Sequence, residues 1–287
     1  MNPSVAIIDI GSNSIKSLVA SRVDSGEIET LAAESLDARI SAGISRAEPR
    51  LGAEGMARGL DAIRTLLAQA APFGPAKTVL VATSAVRDAQ NGGAFRARVH
   101  AATGHEIRIL TGEEEANLIG RGLTTDPALA ALRDFHVLDL GGGSLECLAF
   151  CDRRIVRAAS LQLGCVRLTE KFVADPAAPF SAEAGAEIAR HVRAELARVG
   201  YEFGLRGAAA VGTGGTLATV RAILGERAGV AFEATSALVT VETLHELLRW
   251  LGALPLDARR KISGLPPERA DVFPTALATI IAVAEVG

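Results

Sequence analysis

The stretch that decides the fold is VLDLGGGSLE, residues 137–146. Its first four residues are mostly large and apolar, its centre is three consecutive glycines, and a second apolar run begins at Leu145. A short apolar run bounded by glycine is typical of a buried strand that ends in a tight turn. The stretch therefore predicts one strand, a glycine turn, and a second strand.

A second copy of this pattern lies near the start of the chain, in the segment AIIDIGSNSIK at residues 6–16. A shift of 130 positions places Asp9 on Asp139, and the same shift places residues 81–84 (VATS) on residues 211–214 (VGTG). Two matches at one offset predict a duplicated domain, with the two strand-turn pairs facing a shared interdomain cleft.

The rest of the sequence repeats one plan in both halves. Each half reads as three strands followed by alternating helices and strands, which is typical of an α/β domain. Smaller signals include a turn at residues 25–26 and a strand at residues 207–211. The predicted fold is α/β with two domains, residues 1–124 and residues 125–287.

Composition excludes several classes of protein. The chain has 287 residues, 49% of them hydrophobic, and a formal net charge of −3, whereas proteins that bind nucleic acid or anionic membranes broadly usually carry a basic excess. No apolar run approaches the ~18 residues of a membrane span, and no signal-peptide pattern opens the chain. The cytoplasm is the expected compartment. Cys147, Cys151 and Cys165 lack zinc-ligand spacing and are predicted to be reduced core residues.

Three glycine-bearing turns, at residues 11–14, 141–144 and 212–216, precede a strand or a helix. Because glycine has no Cβ, backbone N–H groups can approach an anion closely, and consecutive N–H groups form an anion-binding concavity. Each turn alone has a plain structural explanation, but three together favour phosphate binding. The phosphate-binding candidates are Gly11, Ser12, Asn13, Ser14, Lys16, Gly141, Gly142, Gly143, Ser144, Thr213, Gly214, Gly215 and Thr216.

Acidic residues stand beside two of these turns. Asp9 and Asp139 each end a strand just before a glycine turn, where a carboxylate would repel a phosphate unless a cation lay between them. Mg²⁺, or another divalent cation such as Mn²⁺, is therefore the predicted cofactor. Glu146, at the position equivalent to Lys16, is a further metal or water ligand. The alternative for the aspartates is a role as turn caps.

Two more candidates carry chemistry. Glu113, Glu114 and Glu115 are expected in the first turn of a helix, where at least two of them are helix-capping acids and one could activate a water molecule. Arg87 follows a strand and could clamp a phosphate oxygen, or it could form a surface ion pair.

Seven collinear motifs resemble the exopolyphosphatase and guanosine pentaphosphate phosphohydrolase (Ppx/GppA) family. They cover nearly the whole chain. The motifs are DIGSNS (9–14), ATSAVRDA (82–89), GEEEA (112–116), DLGGGSLE (139–146), LGCVRLTE (163–170), GTGGT (212–216) and GLPPERAD (264–271).

The resemblance implies two ribonuclease-H-like domains of the actin, hexokinase and Hsp70 superfold, with the active site in the cleft between them. It implies that Glu115 is the catalytic glutamate, that Asp139 and Glu146 serve metal and water, and that Arg87 contacts phosphate. It also implies a homodimer.

The chain departs from the family in two respects. Lys16 stands where related chains usually carry Arg or His, and lysine lacks the planar fork that binds phosphate bidentately. The sequence also stops at Gly287, before a further strand and the HD-like domain of longer relatives. A preference for short chains or small phosphorylated substrates is the resulting expectation.

The predicted reaction is Mg²⁺-dependent hydrolysis of the terminal phosphoanhydride of inorganic polyphosphate. The alternatives are guanosine pentaphosphate (pppGpp) 5′-phosphohydrolase activity at the same site, a non-catalytic sensor of either ligand, and an actin-fold kinase. The kinase is disfavoured because no nucleotide pocket or base for an acceptor hydroxyl is evident.

Overall fold

In the first third of the chain, strands in which every second residue is buried form a sheet, with five strands among the described residues. The computed structural model describes residues 3–24, 26–45, 48–204 and 209–287. In the first strand the even-numbered residues are buried and the odd-numbered ones are not, as expected for a strand with one face on a core. The strands are β1 (Ser4–Ile10), β2 (Ser14–Arg22), β3 (Ile28–Asp37), β4 (Lys77–Ala82) and β5 (Ile107–Ile109).

The order in this sheet is β3-β2-β1-β4-β5. The first three strands form an antiparallel meander, and β4 and β5 run parallel to β1. α-Helices from the described part of this unit accompany the sheet, and its core includes Ile8, Ile10 and Phe95. The helices are α1 (Ala53–Ala70), α2 (Ser84–Asp88) and α3 (Gly92–Thr103).

The second sheet repeats this plan with four strands among the described residues. Its order is β8-β7-β6-β9, with an antiparallel meander and β9 parallel to β6. The strands are β6 (Phe135–Leu140), β7 (Leu145–Cys151), β8 (Arg154–Leu161) and β9 (Ala209–Thr213). The helices are α4 (Gly112–Leu123), α5 (Cys165–Phe172), α6 (Ala182–Arg198), α7 (Gly214–Ala228), α8 (Val241–Gly252), α9 (Leu256–Arg259) and α10 (Phe273–Ala284). The predicted α/β class and its two ribonuclease-H-like halves are confirmed.

The contacts divide the chain into a first unit, Met1–Thr111, and a second unit, Gly112–Gly287. This division differs from the predicted boundary after residue 124 by the length of α4. The helix belongs with the second sheet because Ala116 and Ile119 pack in one cluster with Phe135 and Phe150.

The 130-residue offset between the two halves holds for the helices that follow β4 and β9, but not for the registers of these two strands. The helices after β4 and β9 begin at Ser84 and Gly214, which keep the offset. The strand registers do not, because Asp9 lies opposite Val81 whereas Asp139 lies opposite Thr213. The two-residue shift keeps the same face inward, since side chains alternate with a period of two.

Among the smaller predictions, two lie partly outside the described residues, and those for the cysteines are confirmed at two positions and wrong at one. The turn at residues 25–26 and the strand at residues 207–211 fall partly outside the described residues. Cys147 and Cys165 are buried as predicted, but Cys151 is exposed, because β7 ends there at a turn. Within the described ranges, none of the helices is both long and apolar enough to cross a membrane.

Candidate active site

The core of the site is a row of side chains across the second sheet. Glu146 on β7 lies directly opposite Asp139 on β6 and, on its other side, opposite Ser160 on β8. Thr213 on β9 continues the row beyond Asp139. Directly opposed residues share a face of a sheet and lie within contact range, so the register brings two predicted metal-site carboxylates together.

Glu146 is the most perturbed acid of this row. Its side chain is buried, and its Oε1 accepts a hydrogen bond of 2.8 Å from Ser160 Oγ. Burial, then the charge of Glu115 and more weakly that of Asp139, raise the pKa of Glu146 to about 8 against the opposing effect of hydrogen bonds from Ser144 and Ser160. A carboxylic acid with such a pKa is a recurrent feature of functional sites.

The structure distinguishes the three adjacent glutamates at the start of α4. Glu113 is exposed, whereas Glu114 and Glu115 are half-buried. Of the three, Glu115 is the one whose charge raises the pKa of Glu146. The next residue, Ala116, is fully buried and fixes the rotation of the helix. The glutamate that the resemblance singles out is therefore the one beside the carboxylate row.

Asp139 lies against the N-terminus of α7. Gly214, the first residue of that helix, has a φ of 79°, and a Cβ there would overlap Oδ1 of Asp139. Only glycine allows this approach. The partial positive charge of a helix N-terminus favours an anion at this place.

The glycine turn at residues 141–144 is held from one side by α5. The N–H groups of Cys165 and Val166 donate to the carbonyls of Gly141 and Gly142, at 3.0 and 2.9 Å. Arg167 Nε donates to the carbonyl of Gly143 at 2.9 Å. The carbonyls of all three glycines thus point toward α5.

The orientation of these carbonyls determines the orientation of the N–H groups. In a trans peptide the C=O of one residue and the N–H of the next point to opposite sides. The N–H groups of Gly142, Gly143 and Ser144 therefore point away from α5, as an anion-binding concavity requires. The motif that contains Arg167 does not predict this role from the sequence, because nothing in its spacing shows which carbonyl the arginine meets.

The hydroxyl groups of two predicted phosphate ligands have other partners. Ser144 bonds to Glu146, and Thr216 Oγ1 donates to the carbonyl of Leu140 at 3.2 Å in a buried position. Because both hydroxyl groups are bound to other parts of the protein, Ser144 and Thr216 would bind an anion through their backbone N–H groups.

The equivalent turn of the first unit has its own supports. Gly11 N–H donates to the carbonyl of Ser14 at 3.2 Å, as Gly141 N–H does to that of Ser144 at 3.0 Å. The hydroxyls of Ser12 and Ser84 lie 3.0 Å apart in a buried position. The Asn13 side chain donates to Asp37 at 3.1 Å.

The first unit places a lysine where the second has Glu146. Asp9 lies directly opposite Lys16. Burial raises the pKa of Asp9, and the positive charge of Lys16 acts in the opposite direction. The positive charge of Lys16 thus offsets part of the effect of burial on Asp9, whereas in the second unit the charge of the opposite acid adds to the effect of burial.

Arg87 lies in α2 of the first unit and is anchored at both ends of its guanidinium. Nη1 donates to the carbonyl of Leu110 at 3.0 Å, and Nε lies 3.5 Å from Asp88 Oδ1. The pair with Asp88 is the ion pair considered as the alternative role of Arg87, although at 22% exposure the side chain is half-buried and not on the open surface.

Arg269 is a second arginine whose place the sequence did not reveal. Its guanidinium lies over the first turn of α7, where a Cβ on Gly215 would overlap Nη1. Nη1 also donates to Thr219 Oγ1 at 3.3 Å. In the sequence, Arg269 stands out only as a member of the GLPPERAD motif. It lies 50 residues from Thr219 along the chain, so no local pattern predicts their contact.

Asp139 and Glu146 are the carboxylates of the second unit that could hold a divalent cation. Among the residues that the structure describes, no three or more His, Cys, Asp or Glu side chains are placed to hold a metal on their own. The charges of Glu115 and Asp139 nevertheless act on Glu146, since charge interactions reach further than ligand bonds. Magnesium usually binds through one or two carboxylates, waters and substrate phosphates, so the two observations agree.

The family is decided by a match over most of the chain. The model of the Ppx/GppA phosphatase family matches residues 18–286. The chain belongs to the Ppx/GppA phosphatase family. It is therefore an enzyme that hydrolyses phosphoanhydrides.

Solved structures share the fold of this Ppx/GppA chain. An exopolyphosphatase from Cytophaga hutchinsonii is 23% identical, with a TM-score of 0.88 and coverage of 99% of this chain and 90% of the other. The Aquifex aeolicus member of the Ppx/GppA family is 22% identical, with a TM-score of 0.77 and the same coverage. An exopolyphosphatase-like protein is 22% identical, with a TM-score of 0.89 and coverage of 99% and 88%. At these identities the likeness shows the fold.

Proposed function

We propose that this Ppx/GppA phosphatase is an exopolyphosphatase, which hydrolyses the terminal phosphoanhydride of inorganic polyphosphate and releases orthophosphate. The observation that carries the proposal is the group of Glu115, Asp139 and Glu146 beside the glycine turn at residues 141–144, in which the neighbouring acids help to raise the pKa of Glu146 to about 8. Acids crowded beside a phosphate cradle suit hydrolysis better than binding alone.

In this proposal Glu115 positions the attacking water and accepts its proton. The N–H groups of residues 142–144 and the N-terminus of α7, at Thr213 to Thr216, bind phosphate oxygens. Residues 11–14, Lys16 and Arg87 of the first unit bind further phosphates of the polyanion. Most of the rate acceleration is then positioning and electrostatic stabilisation.

A divalent cation, Mg²⁺ or Mn²⁺, is part of the proposal. Asp139 and Glu146 of the second unit would hold it, and Asp9 is the acid of the first unit that the sequence predicts as a metal ligand. When bound, it supplies positive charge that neutralises the phosphate oxygens. Removal of divalent ions with a chelator is expected to abolish phosphate release, and Mg²⁺ is expected to restore it.

The decisive experiment measures phosphate release by wild type and Glu115→Gln from short polyphosphate, long polyphosphate and pppGpp. We expect kcat to fall about 10²- to 10⁴-fold in the variant while KM changes little, because a proton acceptor is lost and shape is kept. Glu113→Gln is the matched control, since Glu113 lies in the same helical turn and is exposed. Unchanged turnover of Glu115→Gln would exclude the proposed role.

The same assay separates the remaining alternatives. Faster turnover of pppGpp than of polyphosphate favours the 5′-phosphohydrolase, which uses the same terminal anhydride. Binding of either ligand without turnover favours a sensor. The short and long polyphosphates test the expected preference for short chains, and sedimentation analysis tests the expected homodimer.

A further inference from the structure

We propose that Ser160 is a positioning residue that holds the proposed catalytic Glu115 and the buried Glu146 at a fixed separation. It acts through two contacts of one side chain, a hydrogen bond to Glu146 and a packing contact with the start of α4. The inference rests on the proposed function, because it concerns the placement of the groups that carry that reaction.

The first contact fixes Glu146. Ser160 lies opposite Glu146 in the β7–β8 ladder, and its Oγ donates to Oε1 at 2.8 Å. Because Glu146 is only 2% exposed, water cannot readily replace a lost donor. The hydroxyl therefore holds one carboxylate oxygen in place on the sheet.

The second contact fixes α4. A Cβ on Gly112 would lie 2.6 Å from Ser160 Cβ and 3.0 Å from Ser160 Oγ. Gly112 is the first residue of α4, and Glu115 stands three residues later in the same turn. The helix thus begins directly against Ser160, and the absence of a side chain at Gly112 allows this approach.

The two contacts together link the carboxylates that act on each other. Glu115 reaches the row from a helix and Glu146 from a strand, so their separation depends on how α4 sits on β8. An error of about 1 Å in such a placement can cost 10²-fold in rate. The side chain of Ser160 touches both the start of the helix and the carboxylate.

The first test removes the hydroxyl and keeps the packing. For Ser160→Ala we expect kcat to fall about tenfold with KM within twofold of wild type, because the substrate grip is retained and Glu146 is released. Thr279→Val is the matched control. It removes a buried hydroxyl that donates to the carbonyl of Thr275 in α10, and it should leave kcat unchanged.

The second test changes the side chains on both sides of the contact. It adds a Cβ at Gly112 and then removes the side chain of Ser160. Gly112→Ala keeps the hydroxyl but displaces α4, so both stability and kcat should fall. The double variant Gly112→Ala with Ser160→Gly returns room to the helix. It should be more stable than Gly112→Ala alone, and its kcat should match that of Ser160→Ala, since both lack the hydroxyl and in both α4 keeps its place on the sheet.

The outcomes separate the inference from the proposed function. If wild type hydrolyses neither polyphosphate nor pppGpp, the proposed function fails, whereas recovery of stability in the double variant still decides the contact with Gly112. If wild type is active and Ser160→Ala has wild-type kcat, or if the double variant is no more stable than Gly112→Ala, the positioning role is overturned.

Discussion

At the scale of single residues, the surroundings of Glu146 decide whether its carboxyl group is protonated. Its burial beside Glu115 and Asp139 raises its pKa to about 8, so the folded protein retains a proton that the unfolded chain releases near its ordinary value. A bound cation would reverse this preference, since positive charge favours the carboxylate.

This pKa predicts a pH-dependent stability. Between pH 4.5 and about 8 the folded state binds more protons at Glu146 than the unfolded state, so the free energy of unfolding falls as the pH rises through that window. Glu146→Gln has no charge to bury. In chelator-containing buffer at pH 8 it should be more stable than wild type, by on the order of a few kcal/mol at most, and the difference should shrink toward pH 5.

Urea unfolding of both proteins at pH 5, 6.5 and 8 provides the measurement. Parallel pH profiles of the two proteins would contradict the prediction. A profile that converges at low pH and separates at high pH supports it.

The sequence predicts some residues of the site and not others. Glu115, Asp139 and Glu146 are identifiable because each stands inside a recognisable motif. Ser160, Arg167 and Arg269 act through contacts with strands, turns or helices distant along the chain, and those depend on register and packing that no local pattern encodes.

At the scale of elements, α4 connects packing to chemistry. The helix carries Glu115 at its start and lies on β7 and β8 along its length. Two glycines on the helix differ sharply: a Cβ on Gly120 would lie 2.6 Å from Ile155 Cδ1 and 2.9 Å from Leu148 Cδ2, whereas a Cβ on Gly122 meets nothing within 4 Å.

The two glycines give a matched pair of variants. Gly120→Ala and Gly122→Ala gain the same helix propensity, about 1 kcal/mol, but only the first overpacks the interface with the sheet. We expect Gly120→Ala to be less stable than Gly122→Ala by about 1–3 kcal/mol, and to lose activity because the helix lifts from the sheet.

Chemical unfolding and phosphate release check this pair. Equal stability of the two alanine variants would show that the neighbouring side-chain ends move aside without cost, and that the packing of α4 does not depend on Gly120.

Element boundaries were predictable where periodicity is strong. Short apolar runs in the sequence coincide with β1 and β6. Apolar residues at helical spacing coincide with α1 and α6. The register of β9 against β6 was not predictable from the duplication, because each parallel strand is placed by its own core-facing side chains.

At the scale of the whole molecule, each unit has its own buried core. Ile63 lies in the core of the first unit and Leu247 in that of the second, and both are fully buried. A chain with two such cores need not unfold in a single step.

Truncation of one core should therefore act on one unit. Ile63→Ala and Leu247→Ala each remove buried methyl groups, at a cost of about 2–5 kcal/mol. In differential scanning calorimetry we expect two transitions, with each variant lowering the midpoint of a different one. A single transition that both variants lower alike would show that the units unfold together.

The duplicated plan of the molecule was legible in the sequence because Asp9 and Asp139 keep a constant offset. The place of α4 was not, because membership of a helix in one unit or the other is decided by the apolar face it buries.

The contrast between Lys16 and Glu146 has a genetic consequence. Lysine codons are AAA and AAG, and glutamate codons are GAA and GAG, so one base substitution converts either residue into the other. Opposite the strand-ending aspartate, such a single change decides whether the neighbour of that aspartate is a cation or a second acid. Lys16→Glu or Glu146→Lys would make the two halves alike at this position.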